Sequence, residues 1–327
     1  MSQVDLVIPG LLNLPIDEID RRDLPQRTPA LSHLLRYARQ IPDSEDDFDR
    51  TLIKRLGLSQ PGLPYARSLM SQQSRTPTVM IKALHLRPDI NNAILCPLEN
   101  SNDKNIFIKD LSEYFKVDCD IEAQPEGYWL MQLHEISSIP VMPHYLSLLG
   151  KKLSAYLGQV RTSLAWYKLF NEMQMYMHQH ELNQQRMKRN LPIINSLWCW
   201  GSADFAGEDF GSIQWFSNDW LMRRLGDLYC GRSYPLSEVA DNGLRQDSII
   251  VDLSLLKLLK GETQGNLLQA LLDLENQCLQ PLLHGGARHI RLHTSGGRNF
   301  YYRPTHRWRL WRKPQTVLDI SARIKNV

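Results

Sequence analysis

The sequence predicts an α/β protein in which a sheet carries helices on both faces and a β-hairpin follows near the C-terminus. The first observation is that short apolar runs of strand length alternate with amphipathic stretches of helical period along the 327 residues. The second is a hairpin pattern, in which apolar runs at 289–294 and 299–302 flank the turn residues between them. The third is that no apolar run approaches the roughly 20 residues that a membrane-spanning helix needs.

Six further apolar runs have the length and composition of strands. Pro9 and Gly10 stop the first of them, and a turn at 87–92 joins the second to the third. In chain order these predicted strands are 4–8, 78–86, 93–98, 127–133, 195–200 and 249–253. Because they alternate with helical patterns, we expect a sheet that helices cover on both faces.

Start and stop signals mark the predicted helices between these strands. Thr28 is a good N-cap and Pro29 suits the first helical turn, so a helix is expected from Pro29 onward. The helix predicted at 267–283 is rich in Leu and is followed by Gly285 and Gly286, which favour its end. The other predicted helices are 108–115, 145–157 and 164–180.

Length and composition limit the class of protein. Apolar residues make up 43% and charged residues 22% of the chain, as in globular proteins. We expect a single α/β unit spanning 1–327, with room for an inserted subdomain at about 87–145. The five cysteines are scattered without a CxxC pair, and the N-terminus carries no basic secretion signal, so a reducing cytoplasm is expected.

The charge is distributed unevenly along the chain. A basic C-terminal segment, 284–327, holds ten Lys or Arg and a single acid, Asp319, whereas the rest of the chain is acidic. Such a segment can dock on the acidic body, on nucleic acid or on an acidic protein, and we favour the first. Within it, Trp308 and Trp311 alternate with basic side chains. They can stack on bases, but we favour an edge strand whose Trp side chains pack inward.

The stretch 180–201 carries the most directional chemistry of the chain. It ends with a predicted strand at Gly201, and the ligands of open α/β sheets gather at such strand ends. Arg186 is a suitable anion anchor, because a guanidinium grips phosphate or carboxylate with two bonds. The alternative interpretation is structural, with the Trp side chains in a core and the Asn side chains as caps or turn formers. We predict a ligand-binding pocket formed by His180, Asn183, Arg186, Asn195, Trp198, Trp200 and Gly201.

No sequence motif points to a cofactor, a catalytic residue or a metal. The chain has no GxxxxGK[ST], GxGxxG or HExxH motif. Ser295 lies close to His293 but outside a GxSxG elbow, and the hairpin turn explains the glycines beside it. The Met and His side chains at 173–180 could suggest a soft-metal site, but Met commonly fills cores. We therefore predict no cofactor, no catalytic residue and no metal.

The same stretch resembles a known family. Its pattern, His-x-x-Asn-x-x-Arg and then Pro-x-x-Asn-x-x-Trp-x-Trp-Gly over 180–201, is similar to the RpfE-type regulatory proteins of bacteria. The segments 84–89, 171–175 and 311–312 also resemble motifs of that family. More distantly, the chain is similar to archaeal-type cofactor-independent phosphoglycerate mutases. Together these matches cover most of the chain.

The resemblance implies an alkaline-phosphatase-like α/β sandwich. In active relatives, Asp and His side chains hold two metal ions and a Ser carries the phosphoryl group. This chain departs from that pattern. Pro9 and Gly10 stand where the mutases have a metal-binding Asp-Gly, 293–295 lacks the C-terminal carboxylates, and no nucleophilic Ser is visible in 52–74. Without hard oxygen ligands, a pair of divalent ions is not held.

Three functions follow, in order of preference. The first is a non-catalytic, cytoplasmic binding or regulatory protein that takes a small anionic ligand or a protein partner, and neither nucleic acid nor a membrane. The second is a metal-dependent phosphoglycerate mutase or phosphatase with rearranged ligands, for which Asp204, Asp209, Asp252 and His85 would have to converge. The third is a nucleic-acid or acidic-protein binder that uses the segment 303–313.

Overall fold

The computed structural model describes most of the chain and shows a mixed α/β fold. The described residues form two compact units, of which unit 1 comprises Met1–Arg55 and Glu208–Val327 and unit 2 comprises Leu56–Gly207. The range 87–145, for which the sequence leaves room for a subdomain, lies inside unit 2. The described residues are 3–15, 24–42, 47–70, 76–89, 92–98, 102–136, 139–153, 164–203, 211–241, 247–285, 289–295, 298–309, 311–313 and 315–325.

Twelve strands lie in the described residues and are numbered in chain order. They are β1 Gln3–Val7, β2 Arg39–Pro42, β3 Thr78–Asp89, β4 Asn92–Cys96, β5 Cys119–Gln124, β6 Tyr128–Leu133, β7 Ser196–Trp200, β8 Gln214–Ser217, β9 Ser233–Tyr234, β10 Ser248–Val251, β11 His289–His293 and β12 Arg298–Tyr302.

The α-helices of the described residues are numbered in the same way. They are α1 Leu24–Arg27, α2 Pro29–Tyr37, α3 Phe48–Leu56, α4 Asp103–Tyr114, α5 Tyr145–Leu148, α6 Leu164–Gln179, α7 Glu181–Lys188, α8 Trp220–Cys230, α9 Ser254–Leu259, α10 Leu267–Leu274, α11 Gln280–His284 and α12 Val317–Lys325. A π-helical turn, Glu275–Leu279, joins α10 to α11.

Unit 1 is built on a seven-stranded sheet in the order β2-β12-β11-β1-β10-β8-β9. The five strands from β11 to β9 run parallel to one another, β12 is antiparallel to β11, and β2 is antiparallel to β12. The pair β11 and β12 is the predicted C-terminal hairpin, which is thereby confirmed. Five parallel strands place their carboxyl ends along one edge of the sheet, where loops can bring side chains together.

One face of this sheet builds the main apolar core of unit 1. Alternate residues of the strands, such as Leu6, Ile250 and Leu292, are fully or almost fully buried there. The predicted helix start at Thr28 is confirmed, but its cap is not: the Thr28 hydroxyl donates to the carbonyl of Leu24. The buried Glu275 carboxylate instead accepts the first amides of α2, where the helix dipole favours a negative charge.

Helices also pack on the opposite face of the same sheet, which confirms the predicted α/β class. Trp215 of β8 is fully buried against α8, and its ring fills the space beside Gly226. A Cβ atom at Gly226 would lie 2.4 Å from the Trp215 ring. The absence of a side chain at Gly226 therefore permits the close packing of helix and strand.

Unit 2 contains an antiparallel sheet centred on the long strand β3. The first half of β3 pairs with β6 on one side and β7 on the other, β5 pairs with β6, and the last part of β3 pairs with β4. The predicted turn at 87–92 is shorter than expected, because β3 continues to Asp89 and β4 begins at Asn92. The residues described by the structure therefore form two sheets and not the single central sheet that the strand pattern suggested.

Short or polar elements account for the other differences from the predictions. Strands β2, β5, β8 and β9 were missed because they are brief or carry few apolar residues. Of the helix predicted at 145–157, only Tyr145–Leu148 is helical in the described residues, and 154–163 lies outside them. The edge strand expected at 303–313 is wrong, because Pro304–Trp308 forms a 3-10 helix that leaves Trp308 66% and Trp311 78% exposed.

Candidate functional site

The parallel sheet of unit 1 has a topological switch point between β8 and β10. From β8 the chain passes through α8 to β9, away from the centre of the sheet. From β10 it passes through α9, α10 and α11 and crosses β1 to reach β11. Adjacent parallel strands whose connections leave in opposite directions open a crevice at their carboxyl ends, the usual ligand position in open α/β sheets.

A cavity of about 370 Å³ lies at this crevice, and we call it the carboxyl-edge cavity. Asn218 lines it just after β8, and Asp252 and Ser254 line it just after β10. Lys257 of α9 and Gln277 of the π-helical turn contribute from the helical connection. The cavity is within the size range of small-molecule sites.

Asp219 is held at the rim of β8 by three groups of the protein. Its Oδ1 accepts a hydrogen bond of 2.9 Å from the amide of Met222, which makes Asp219 the N-cap of α8. Its own amide donates to the Ser217 hydroxyl, which donates to the carbonyl of Val251. The ammonium of Lys257 lies 2.6 Å from Asp219 Oδ2, and both side chains are largely buried.

Asp252 is the buried carboxyl group of the cavity. Its Oδ1 accepts 2.8 Å and 2.5 Å hydrogen bonds from the amide and hydroxyl of Ser254. Burial, followed by the nearby charge of Asp219, raises the pKa of Asp252 in spite of the Ser254 hydrogen bonds and the charge of Lys257. Asp252 therefore takes up a proton more readily than an exposed aspartate.

Amide side chains form much of the remaining wall. Asn218 donates to Gln277 and accepts from the amide of Leu236, so its orientation is set. Asn266 caps α10 by accepting from two amides of that helix, and Gln269 donates to Asp273. Amide groups both donate and accept hydrogen bonds. The charged groups of the lining are Lys257, which is paired with Asp219, and the two carboxyl groups of Asp252 and Asp273. The other polar groups of the cavity are neutral and can form hydrogen bonds.

The described residues contain no group of three or more His, Cys, Asp or Glu side chains that could hold a metal ion. Of the four ligands suggested for a rearranged mutase, Asp252 lies in unit 1 and His85 lies in unit 2. The His85 ring is within 3.0 Å of the carbonyl of Ile193. Asp204 and Asp209 lie outside the described residues.

The seven residues of the predicted pocket all belong to unit 2. β7 is antiparallel to β3 and does not belong to the parallel sheet, so the expectation that Gly201 lies at the carboxyl edge of such a sheet is wrong. The carboxyl-edge rule applies to parallel strands and their crossover connections. The ligand-binding role of the seven predicted pocket residues therefore remains a prediction that rests on the resemblance alone.

The polar residues of that prediction are bound within the protein. Arg186 is 1% exposed, donates through Nε to the carbonyl of Pro192 and pairs with Asp103. Asn183 is equally buried and bridges the carbonyl of Met177 to both backbone groups of Ile194. These hydrogen bonds connect α7 to the end of α6 and to the turn that follows α7.

Asn195 and His180 also have protein partners. Asn195 exchanges two hydrogen bonds with the backbone of Leu86 in β3. The His180 ring accepts from the amide of Leu182, and its Nε2 lies 3.3 Å from Asp110. Asp110 lines a cavity of about 690 Å³ beside α4 and β5, so His180 lies next to that cavity through its carboxylate partner.

Of the last three residues of the prediction, Trp198 and Trp200 are buried in unit 2 and Gly201 is half-buried. Trp198 donates to the carbonyl of Pro143, and Trp200 is 1% exposed with its ring 5.1 Å from that of Tyr145. Gly201 has φ +64°, and a Cβ there would lie 2.8 Å from Tyr65. The alternative, structural interpretation of these residues thus agrees with their contacts.

Asn218, Asp219 and Lys257 were not predicted as site residues from the sequence. One signal for them was available: Ser217-Asn218-Asp219 follows the apolar pair Trp215-Phe216 and precedes an apolar helical pattern, as an N-cap does. The four residues of β8 were too few to identify a strand on their own. The pairing of Lys257 with Asp219 joins two different connections of the sheet, and no local pattern contains it.

Comparison with known proteins identifies a fold and no family. No protein-family model matches the chain, and no curated protein matches it. The structure is similar to that of the PH0037 protein from Pyrococcus horikoshii, with a TM-score of 0.50 and 11% identity over 92% of this chain and 87% of that one. It also aligns with a cofactor-independent phosphoglycerate mutase from Thermoplasma acidophilum, with a TM-score of 0.41 and 13% identity over 100% of this chain and 99% of the mutase. Such low identities carry no information about activity.

In the described part of the chain, no helix combines the length and the apolar character that a bilayer crossing requires.

Proposed function

We propose that this protein is a non-catalytic binding protein that takes a small, uncharged, hydroxyl-rich ligand in the carboxyl-edge cavity. The observation that carries the proposal is the 2.6 Å contact between Lys257 and Asp219 at the switch point of the sheet. The ammonium group of Lys257 neutralises the Asp219 carboxylate at the carboxyl edge of the sheet. A metal-dependent phosphatase or mutase would need such a carboxylate to hold a cation.

The lining of the cavity supports the ligand class. Its amide groups can donate to and accept from hydroxyl groups, as a polyol or a sugar requires. An anionic ligand would meet Asp252 and Asp273 there, while Lys257 is already paired with Asp219. A ligand without charge avoids that repulsion and the cost of separating the ion pair.

The resemblance to RpfE-type regulatory proteins supports a role in binding rather than in turnover. The motifs at 180–201 carry that resemblance, and the alkaline-phosphatase-like sandwich is part of the same proposal. A cytoplasmic location is also proposed, since the scattered cysteines suit a reducing compartment. A metal-dependent mutase or phosphatase is the competing function.

Ligand-observed NMR with D-ribose, D-glucose and myo-inositol as probes tests the proposed site. We expect saturation transfer from the protein to at least one probe, and we expect the double variant Gln269→Ala, Gln277→Ala to lose it. Gln185→Ala is the matched control, because Gln185, like Gln269, is an exposed helical glutamine that donates to a carboxylate four residues away. Transfer that is equal in all three proteins, or absent from the wild type, contradicts the proposal.

A separate assay addresses catalysis. The purified protein is loaded with Mn²⁺ and tested for phosphoglycerate mutase and phosphatase activity, with elemental analysis of the same sample. We expect no turnover above the protein-free control. Turnover that Asp252→Asn removes would establish the competing, metal-dependent function.

A second candidate function is the binding of single-stranded nucleic acid by the segment 303–313. The favouring observation is the exposure of both Trp308 and Trp311, with the Arg307 guanidinium 5.4 Å above the Trp308 ring. Arg309 and Arg312 donate to the carbonyls of Tyr37 and Ala38, so the segment is held at the end of α2. Exposed aromatic rings beside arginines suit base stacking and phosphate contact.

Fluorescence anisotropy with a labelled oligo-dT at low salt tests this candidate. Replacing both Trp308 and Trp311 by Ala should weaken binding by about 1–3 kcal/mol for each stacked base. Tyr167→Ala, in unit 2, is the control for an exposed aromatic residue. Affinity should also fall steeply with salt as counterions are released. Binding that survives both Trp replacements contradicts the candidate.

A further inference from the structure

Charged and polar side chains collect on the face of the unit 1 sheet that lies opposite the main apolar core. Leu6 and Leu292 point into that core, so their neighbours Asp5, Arg291 and His293 point to the other face. The register places Asp5 beside Arg291 on the adjacent strand, and His293 beside Asn299. The polar groups of three neighbouring strands therefore meet in one place.

Helix α3 covers this place and adds two more cations. Thr51, Lys54 and Arg55 lie three and four residues apart, on one side of the helix. Arg55 Nε contacts Asp5 Oδ2. A cavity of about 270 Å³ remains between the helix and the sheet, and we call it the basic cavity. Its lining consists of Asp5, Thr51, Lys54, Arg55, Arg291, His293 and Asn299.

The charges of the basic cavity do not balance. Lys54, Arg55 and Arg291 carry permanent positive charges, and Asp5 is the one carboxylate in the lining. Asp5 is fully buried and already pairs with Arg55, with His293 at 3.0 Å and with Gln3 at 2.8 Å. Arg55 also lies 3.8 Å from the half-exposed Asp247. In the described part of the chain, neither Lys54 nor Arg291 forms an ion pair, so two positive charges face the cavity without compensation.

Asn299 adds an independent indication of a ligand. Its Oδ1 is buried and has no hydrogen-bond partner within the described residues, although the residue lines the cavity. A buried acceptor without a donor costs free energy, so the amide gains if it turns to bond a group inside the cavity. After such a turn, its NH₂ group can donate to an oxyanion.

The geometry points to a binding site for a phosphate group in the basic cavity. Arg291 and Lys54 would contact the phosphate oxygens, Arg55 would hold the inner side of the site, and Asn299 would bond a protonated oxygen or an adjacent hydroxyl. Guanidinium and ammonium groups are the usual partners of phosphate, and a fixed guanidinium can donate two parallel bonds. The cavity is larger than inorganic phosphate needs, which leaves room for a small organic phosphate monoester.

This inference goes beyond the proposed function, because the basic cavity shares no lining residue with the carboxyl-edge cavity. It also moves the expected anion site away from Arg186, whose charge is paired with Asp103. The anion anchor of this chain is a group of side chains from α3, β11 and β12, and they come together through the parallel pairing of β11 with β1.

Calorimetric titration of the full chain with inorganic phosphate at low ionic strength tests the inference. We expect saturable binding, and we expect Arg291→Ala or Lys54→Ala to weaken it by about tenfold, since each removes one charge-assisted contact. Arg291→Lys should retain part of the affinity. Both positions are exposed at the rim, so the fold should survive, as the thermal unfolding of each variant will show.

Two controls separate the site from general attraction to positive charge. Arg232→Ala changes the net charge equally at an exposed arginine outside the lining, and it should leave phosphate affinity unchanged. The Gln269→Ala, Gln277→Ala variant should also leave it unchanged, so the two proposals can fail separately. Absent binding, an equal loss with Arg232→Ala, or a loss confined to the glutamine variant overturns the inference.

Discussion

Arg186 and Asp103 form a buried ion pair in unit 2, with Arg186 Nη1 2.5 Å from Asp103 Oδ2. The Arg186 side chain is 1% exposed and the Asp103 side chain 17%. The pair joins the first turn of α4 to the end of α7, while Nε of the same guanidinium holds the carbonyl of Pro192. The Arg186 guanidinium therefore connects α4, α7 and the loop before β7, and its role is structural.

Removal of this guanidinium should therefore cost stability. Arg186→Ala leaves Asp103 without its main partner and the carbonyl of Pro192 without a donor, and we expect a loss of about 3–5 kcal/mol in the free energy of unfolding. Arg189→Ala is the control, because Arg189 is 60% exposed and only 3.7 Å from the same carboxylate. It should change the stability by less than about 1 kcal/mol. Urea denaturation of the two variants makes the comparison, and equal losses would contradict it.

The buried Asp252 should make the protein less stable as the pH rises. Burial raises its pKa in the folded state above the ordinary 3.8, so the folded protein binds a proton that the unfolded chain releases. The stabilisation by this bound proton is present at acidic pH. It is lost as the pH rises from 3.8 to the raised pKa that Asp252 has in the folded state. Asp252→Asn should therefore melt at a higher temperature than the wild type at pH 8, with the difference shrinking toward acidic pH. A pH-independent difference would refute this assignment.

Asp5 should show the opposite pH dependence. Burial alone would raise its pKa, but hydrogen bonds from His293 and Gln3 and the charge of Arg55 outweigh burial and lower it. Its contribution to stability is then present above the unfolded value of 3.8 and is lost as the pH falls through the lowered folded value. Asp5→Asn should destabilise the protein strongly at pH 7 and much less in strong acid.

Asp247→Asn is the control for Asp5→Asn. Asp247 is half-exposed and lies 3.8 Å from the same arginine, so its removal should have a small effect at either pH. Thermal unfolding of both variants across the pH range measures the difference. If Asp247→Asn follows the same pH profile as Asp5→Asn, the profile does not report on Asp5.

The contact of α8 with β8 should not tolerate a side chain at Gly226. The added methyl group would lie 2.4 Å from the fully buried Trp215 ring, which has no free space to move into. We expect Gly226→Ala to cost about 1–3 kcal/mol of the free energy of unfolding.

Gly265→Ala is the matched control for this replacement. Its Cβ would meet only the end of the Leu258 side chain, at 3.0 Å, which can rotate away. This variant should be neutral or slightly stabilising, because alanine restricts the unfolded chain. Thermal denaturation ranks the two variants, and a larger loss for Gly265→Ala would refute the packing argument.

Local patterns in the sequence were sufficient to predict the positions of most of the longer strands and helices. The period of apolar residues located β3, β6, β7, β10 and the C-terminal hairpin, and Thr28 with Pro29 located the start of α2. These signals lie within one turn or one strand, where sterics, capping and burial of a single face decide the conformation. The α/β class follows from their alternation.

Tertiary pairing decided which of those elements belong together, and therefore where a site can lie. The strand 195–200 was located by its sequence, but only its antiparallel pairing with β3 shows that Gly201 is not at the carboxyl edge of a parallel sheet. Asp219 meets Lys257 and Asp5 meets Arg55 across long stretches of chain, through strand order and helix packing. The residue types at such positions are visible in the sequence. Their partners depend on the sum of many weak contacts over the whole fold, which no short window of the sequence contains.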